Sequence, residues 1–485
     1  MAPLGVARAF MRNSSPKASD GGFHSSLIQG AKDPNCQAAI DLEKRRTRSD
    51  GEGHVEDPVF GNEEGAAIHY RTMEWWHAGI LMLAETISLG VLALPQSVAT
   101  LGLVPGLLLI FFLGISATYT GYIIGQFKQA FPQVQSFADA GELIAGPIGR
   151  EVMAVSQMLI LVFIMAAHVL SFSIAMNVLT EHSLCSVWFG FFGLIFCFML
   201  GLPRTMKMVS HLSIISCLSI ITAVTVAMVA VGISKPDIGA VLAVQPDVSF
   251  VKGLGPVMNI ILAFAGHIGF FSFCSELKRP KDFTKSLVFT QTTSSTFYLL
   301  ISAVIYYYAG PHVASPALGS ASPVVAKVAF GLALPTIIIA GVVNGSIACK
   351  YLYVRMWRGT NVIHQNSLKS VGSWVGICAG LWTLSWIIAE AIPSFNLLLG
   401  LISALFCSWF SYGIPGGLWI YMNKGKWFCT RQKTCLFFLN CGVICLGTVM
   451  CALGLYSSGT ALHTGAAGTP FSCANNYTPG SVAES

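Results

Sequence analysis

Glu85 is the one acidic residue that lies deep inside a long apolar stretch of this sequence. It follows Trp76 by nine residues, about 14 Å along an α-helix, which places it near the middle of a hydrocarbon core about 30 Å thick. A carboxylate at that depth is costly unless it is protonated, paired or hydrated. Glu85 is therefore a candidate proton carrier, and a structural acid hydrogen-bonded to a neighbouring helix is the alternative.

Two histidines also lie in apolar stretches. His267 stands between Gly266 and Gly269, which leave room beside its ring, so a ring nitrogen there could contact a substrate or transfer a proton. His168 lies in the middle of another apolar stretch. It is a second candidate for proton coupling, and a histidine that only packs in the core is the alternative.

The composition indicates which elements position these residues. The 485 residues are 54% hydrophobic and 10% charged, whereas about a quarter of a soluble globular chain is charged. Most of the chain must therefore face lipid or other helices, which predicts an all-α polytopic membrane protein. A soluble enzyme, a nucleic-acid-binding module and a disordered scaffold are excluded. No G-x-x-x-x-G-K-[ST] motif of an ATP-driven pump occurs, and we expect no cofactor or metal.

Apolar runs of about 20 residues predict eleven transmembrane helices. Residues 1–73 are polar and are expected to form a largely disordered cytoplasmic tail, and residues 459–485 are expected to form an extracellular tail. The approximate limits of the spans are 75–99, 103–127, 151–179, 187–202, 209–233, 254–276, 286–310, 330–354, 372–393, 395–422 and 434–457.

The basic residues predict the orientation of these spans. With the N-terminus in the cytoplasm, 25 of the 28 Lys and Arg residues fall inside, and only Lys235, Lys252 and Lys327 fall outside. Short cytoplasmic loops are enriched in Lys and Arg, and adding or removing one span would destroy this separation. The pattern supports both the number of spans and an extracellular C-terminus.

Two spans carry candidate interruptions near the membrane centre, residues 84–95 in the first span and 263–269 in the sixth. Interrupted helices at matching positions of two halves indicate a secondary transporter with inverted repeats. The backbone groups that such breaks free suit the two charges of an amino acid. The alternative is that Gly90, Gly266 and Gly269 only allow close helix packing.

This interpretation divides the membrane region into two repeats. Helices 1–5 would occupy residues 74–233, helices 6–10 would occupy residues 234–433, and helix 11 would follow at 434–458. Because each repeat contains an odd number of helices, the second would start from the opposite side of the membrane.

Several segments resemble fungal members of the amino acid/auxin permease family, especially the permeases for neutral aliphatic and aromatic amino acids. The similarity runs from about residue 55 to the end of the chain. It is carried by Val55-Glu56-Asp57-Pro58-Val59-Phe60-Gly61, Tyr70 to Trp76, Ser88 to Pro95, Phe264 to Phe271, Ser275 to Pro280 and Ala389 to Pro393. The resemblance implies eleven helices, a 5+5 inverted-repeat core with broken helices 1 and 6, and transport driven by a cation gradient. Ser88 departs from the pattern, because many relatives have there the first Gly of a Gly-x-Gly break.

The expected substrate site lies at the two breaks. Phe264, Phe270 and Phe271 indicate an apolar side-chain pocket, and a single buried acid argues against a strongly cationic substrate. In transporters of the kind it resembles, the eighth helix helps to bind a cation, so Asn344 and Ser346 join Glu85 and His168 as cation-coupling candidates; interhelical hydrogen bonding is the alternative. The substrate-binding candidates are Thr86, Ser88, Leu89, Gly90, Phe264, Ala265, Gly266 and His267.

The expected function is the import of neutral amino acids in symport with a cation. On the resemblance, that cation is a proton rather than sodium. The expected location is the plasma membrane, with the vacuolar membrane as the alternative. A vacuolar exporter or antiporter of the same fold is an alternative. An ion channel is a further alternative, although the sequence has none of the rings of acids or carbonyls that a channel filter needs.

The fourteen cysteines include no C-x-x-C pair and no zinc-ligand spacing. Most of them lie in spans as small apolar residues. Only Cys185 and Cys473 fall in predicted outer segments, where thiols meet an oxidising environment. The sequence therefore predicts a disulfide between them.

Overall fold

The computed structural model describes residues 71–204, 206–237, 240–364, 367–463 and 469–477. Nearly all of the predicted cytoplasmic tail and the end of the predicted outer tail lie outside these residues. Ten described helices are long and apolar enough to cross a membrane, and the shorter apolar helix Ser186–Leu200 corresponds to the short fourth predicted span. The chain is thus a polytopic helical membrane protein, as its composition predicts.

The eleven helices follow the predicted spans in order. Hydrophobic segments of this length form helices because lipid offers no partner for backbone N–H and C=O groups. Their bounds are α1 Trp75–Leu101, α2 Leu103–Ala130, α3 Phe137–Thr180, α4 Ser186–Leu200, α5 Met206–Ser234, α6a Phe250–Ala263 with α6b Phe270–Glu276, α7 Phe283–Ala309, α8 Pro323–Trp357, α9 Leu368–Ala391, α10 Phe395–Met422 and α11 Arg431–His463.

Helix α6 is interrupted at the predicted place. Its first segment ends at Ala263, a 3₁₀ turn spans Gly266–Gly269, and the second segment begins at Phe270. The break leaves Phe264 and Ala265 outside regular helix. Two glycines within four residues disfavour a continuous α-helix here, because glycine has the largest backbone entropy to lose.

Helix α1 is continuous from Trp75 to Leu101, so the expected break within residues 84–95 is wrong. Gly90 serves close packing instead, since a Cβ atom there would lie 2.6 Å from the Cα atom of Ala263. This was the alternative interpretation of the glycines. A glycine that lets two backbones approach need not unwind the helix that carries it.

Two further irregularities of the helices were not predicted from the sequence. Helix α3 starts earlier than expected and is kinked at Ala145 and Gly146, where Gly146 has φ = +65°, a conformation that favours glycine. Helix α10 contains an eleven-residue π-helical stretch, Ser403–Gly413. Such stretches are rare and occur frequently at functional sites.

Helix α1 lies in the centre of the bundle, packed against α5, α6a and α7, while α8 packs against α3 and α5. The first turns of α10 pack against α3 and α6a. Helices α9 and α11 are the least buried. The bundle therefore surrounds the middle of α1 and the break in α6 with helices on all sides.

Contacts tie the helices together at both ends of the bundle. At the end that carries Met73, which we call the Met73 end, the Met73 amide donates to the Glu276 carbonyl (3.1 Å) and the Lys278 amide donates to the Met73 carbonyl (2.9 Å). A buried ion pair between Glu276 and Lys350 joins α6b to α8 there. The start of α1 is thereby fixed to the second segment of α6.

At the opposite end, three polar side chains form a chain of hydrogen bonds. The Asn396 amide donates to Gln96 Oε1 (2.9 Å), and Ser315 Oγ donates to Asn396 Oδ1 (2.8 Å). These residues belong to α10, α1 and the connection between α7 and α8. The middle of α1 and the break in α6 thus lie between these two sets of contacts.

Candidate functional site

A cavity of about 40 Å³ lies between α1, α3, α6, α8 and α10. A cavity needs about 10–15 Å³ to hold one water, so this one has room for about three waters. The fourteen residues that line it are Glu85, Thr86, Ser88, Leu89, Gly90, Ile164, Ala167, His168, Leu262, Ala265, Gly266, Asn344, Leu399 and Ile402.

The break in α6 brings a glycine against the polar side of the cavity. A Cβ atom on Gly266 would lie 2.8 Å from Thr86 Oγ1 and 2.9 Å from Glu85 Oε2. The side chain of Asn344 on α8 interacts with the Glu85 carboxyl group. Helices α1 and α8 therefore place polar side chains beside Glu85, and the broken helix approaches it with a glycine. Among the described residues that line the cavity, Glu85 is the only Asp, Glu, Lys or Arg.

Several oxygens in this region are buried without a hydrogen-bond partner among the described residues. An unpaired buried polar atom costs about 1–3 kcal/mol, and such atoms in native structures usually bond to water or to a ligand. Three of these atoms belong to one turn of α1 and two belong to α8. They are Glu85 Oε2, Thr86 Oγ1, Ser88 Oγ, Asn344 Oδ1 and Ser346 Oγ. The region can therefore hydrogen-bond to a polar ligand.

His168 lines the cavity and bridges two helices. Its Nδ1 lies 2.7 Å from the carbonyl oxygen of Ile337 on α8, and because a carbonyl only accepts, Nδ1 carries the proton. In the neutral ring Nε2 is then the nitrogen that can accept a proton or a hydrogen bond. His168 thus combines the packing role with a position at the cavity.

The other predicted histidine has a different environment. His267 is fully buried and lies outside the cavity wall, with Nε2 2.9 Å from the Ala117 carbonyl and 3.0 Å from Thr120 Oγ1. These hydrogen bonds are therefore with α2. The ring attaches the α6 break to that helix.

Two more of the predicted residues lie beside the cavity rather than in its wall. The ring of Phe264 packs against Tyr298 with ring centroids 5.3 Å apart, and Ser346 contributes a buried hydroxyl on α8. The structure thus brings nine of the twelve predicted site residues to the cavity wall.

Tyr298 on α7 lies outside the cavity wall but connects two of the elements that form it, and the sequence analysis missed it. Its hydroxyl lies 2.6 Å from the Thr86 carbonyl and 2.9 Å from the Ala263 carbonyl. The second of these oxygens is at the C-terminal end of α6a, where carbonyls lose their helical partners. A tyrosine in an apolar span has no sequence signal that distinguishes this role from packing.

Large apolar residues were missed as well: Ile164 on α3, Leu262 on α6a, and Leu399 and Ile402 on α10 line the cavity. Nothing in their spans separates them from the many similar residues that face lipid or the core. Only the three-dimensional packing of α10 against α3 and α6a brings them to the site.

Comparison with known proteins decides the family. The profile of a family described as "Transmembrane amino acid transporter protein" matches residues 71–459, which include the whole cavity. A protein of Neurospora crassa named "N amino acid transport system protein" is 34% identical over 438 residues, which cover 87% of this chain and 92% of the relative. The chain belongs to the transmembrane amino acid transporter family.

Two further fungal relatives of this transporter are similar over almost their whole length. A "Transmembrane transporter" of Fusarium pseudograminearum is 32% identical over 88% of this chain and 92% of the relative. Another protein with that name, from Gibberella moniliformis, is 30% identical over 93% of this chain and 98% of the relative. The protein is thus a membrane transporter that carries amino acids, and not an enzyme.

A disulfide joins the region of the family match to the segment that follows it. Cys185 and Cys473, the pair singled out in the sequence, are joined with their Cα atoms 4.4 Å apart. Asn476 accepts a hydrogen bond from Asn177 (2.8 Å) and donates one to Ser173 Oγ (3.0 Å). The segment after α11 is therefore attached to the transporter near the junction of α3 and α4.

Proposed function

We propose that the protein is a secondary active transporter that imports neutral amino acids in symport with a proton. The observation that supports this proposal is the group of unpartnered buried oxygens around Glu85, beside the broken helix α6. A zwitterion brings an ammonium group that these acceptors suit. Its carboxylate suits backbone N–H groups such as those that a helix interruption frees.

The charges in the cavity wall favour a neutral substrate. Among the described residues that line the cavity, Glu85 is the only Asp, Glu, Lys or Arg. If Glu85 carries the coupled proton, it is neutral when the substrate is bound, and no other carboxylate remains to balance a cationic side chain. An acidic side chain would have no Lys or Arg to meet it.

A proton is the proposed coupling ion because one titratable carboxyl is sufficient to carry it. Glu85 lies where a charge is expensive, so binding and release of a proton change the energy of the site strongly. His168 offers Nε2 as a second proton acceptor in the same wall. Sodium, which takes several oxygen ligands around one point, is the alternative coupling ion, and a separately imposed sodium gradient tests it.

The test is uptake of labelled amino acids into proteoliposomes, with imposed proton and sodium gradients varied separately. We expect a proton gradient to drive uptake of neutral amino acids. Glu85→Gln should keep amide hydrogen bonding but abolish the dependence of uptake on pH. Glu74→Gln, an acid at the start of the same helix and outside the cavity wall, is the matched control and should behave like the unchanged protein. Sodium-driven uptake, or unchanged pH dependence in Glu85→Gln, would contradict the proposal.

We further propose that the transporter lies in the plasma membrane with its N-terminus in the cytoplasm. The distribution of Lys and Arg between the loops supports this orientation. An epitope after Met1 should be accessible to antibody only after permeabilisation of intact cells, and an epitope after Ser485 should be accessible without it. Fractionation of cells into plasma and vacuolar membranes distinguishes import from vacuolar export.

A further inference from the structure

The cavity has a polar side and an apolar side. The polar groups come from α1, α8 and the break in α6. Four large apolar side chains form the other side. They are carried by α3, α6a and the first turns of α10, and α10 packs against both of the other helices. These side chains are Ile164, Leu262, Leu399 and Ile402. A bound amino acid with its charged end at Glu85 must direct its side chain toward them.

No Phe, Tyr or Trp lines the cavity among the described residues. Two of the phenylalanines that indicated an apolar side-chain pocket pack elsewhere: Phe270 contacts Phe283 (ring centroids 5.5 Å apart), and Phe271 contacts Phe137 (4.9 Å). The side-chain pocket therefore consists of aliphatic groups. Its surface is continuous on α10, because Leu399 and Ile402 are three residues apart and share one face of the helix.

Helix α10 is held in place from behind by α11. A Cβ atom on Gly447 of α11 would lie 2.6 Å from the Ser408 carbonyl, and one on Gly454 would lie 2.7 Å from the Cβ atom of Ala404. With α11 this close, α10 cannot retreat from the cavity without displacing another helix. The space available to a substrate is then set by the length of the side chains that α10 presents.

We infer that Leu399 and Ile402 determine the size of side chain that the transporter accepts, and that it prefers small aliphatic amino acids to aromatic ones. This inference rests on the proposed function. The cavity of about 40 Å³ is narrow, and both residues are almost fully buried behind it. An aromatic substrate would have to displace one of them.

The test compares the uptake of valine and phenylalanine by the full chain in proteoliposomes. The unchanged protein should have the higher kcat/KM for valine. Leu399→Ala and Ile402→Ala should raise the ratio of phenylalanine to valine kcat/KM by about tenfold or more, because each missing methylene in such a pocket changes discrimination by about 10–200-fold. Leu398→Ala is the matched control, since Leu398 is equally buried on the same turn but does not line the cavity.

A larger side chain at one of these positions tests the inference if an alanine variant does not fold. Ile402→Phe should abolish leucine uptake while alanine uptake remains. A ratio in Leu399→Ala and Ile402→Ala that equals that of Leu398→Ala would overturn the inference, as would a preference of the unchanged protein for phenylalanine. If no amino acid is taken up under any gradient, the proposed function itself fails.

Discussion

Gly266 is the residue at which the broken helix meets the two oxygens of α1. Gly266→Ala would place a methyl group within 3 Å of Thr86 Oγ1 and Glu85 Oε2, so both groups must move. We expect uptake to fall by at least about tenfold, since displacements of 1 Å at a site have effects of this size. The amount of folded protein should change little. Gly372→Ala on α9, where a Cβ atom would meet nothing within 4 Å, is the control and should transport normally.

Tyr298 links α1 to the end of α6a through a single hydroxyl. Tyr298→Phe removes the donor from the Ala263 carbonyl at the end of α6a, and an unpaired buried carbonyl costs about 1–3 kcal/mol. We expect a lower midpoint of thermal unfolding in detergent and weaker uptake. The same change at Tyr307, which is half exposed on the same helix, should leave both unchanged. Equal stability of the two variants would contradict the proposed link.

The polar residues of the cavity wall could be predicted from the sequence, whereas the four large apolar residues of α3, α6a and α10 could not. Glu85 and Asn344 are conspicuous because polar groups in a membrane span are costly and therefore rare. Leu399 and Ile402 resemble every other aliphatic residue of their span. Their role depends on how α10 packs, which hydropathy does not encode. His267 was conspicuous for the same reason as Glu85, yet its ring points to Ala117 and Thr120 of α2.

At the level of helices, the number and order of the spans follow from hydropathy, because a lipid-exposed backbone must satisfy its own hydrogen bonds. The break in α6 was also predicted, from Gly266 and Gly269. The same reasoning failed for α1, since Gly90 marks a close approach to Ala263 rather than an interruption. Glycine in a span thus indicates either a break or a contact, and one sequence does not distinguish them.

The segment after α11 should be shielded from modification while its disulfide is intact. Asn476 begins an Asn-Tyr-Thr sequon, but its amide is hydrogen-bonded to Asn177 and Ser173. We expect Cys473→Ser to release the segment and allow a glycan at Asn476. The glycan would appear as a band shift that endoglycosidase reverses. Cys445→Ser on α11, a free and exposed cysteine, is the control. A glycan on the unchanged protein would show that the segment is not held.

The whole molecule must open at one end while it remains closed at the other if it works by alternating access. At one end Gln96, Asn396 and Ser315 connect α1, α10 and the loop before α8. At the Met73 end the chain before α1 pairs with the end of α6b. The first set includes α1, which carries Glu85, and the second includes the residue two positions before that helix begins. Movement of α1 relative to its neighbours therefore links the site to both ends.

The buried ion pair between Glu276 and Lys350 should be the strongest side-chain link at the Met73 end. A double-mutant cycle with Glu276→Gln and Lys350→Met is expected to give a coupling energy of about 0.5–3 kcal/mol in unfolding measurements, as is usual for residues in direct contact. Glu74 and Lys278 form the matched exposed pair at the same end (2.6 Å), and water screens such pairs. Lys278 holds the pKa of the Glu74 carboxyl below its ordinary value, so this pair is intact at neutral pH and weakens only in acid. At neutral pH the double-mutant cycle for Glu74 and Lys278 should give a much smaller coupling energy. If the effects of Glu276→Gln and Lys350→Met are additive, the buried ion pair does not hold α6b against α8.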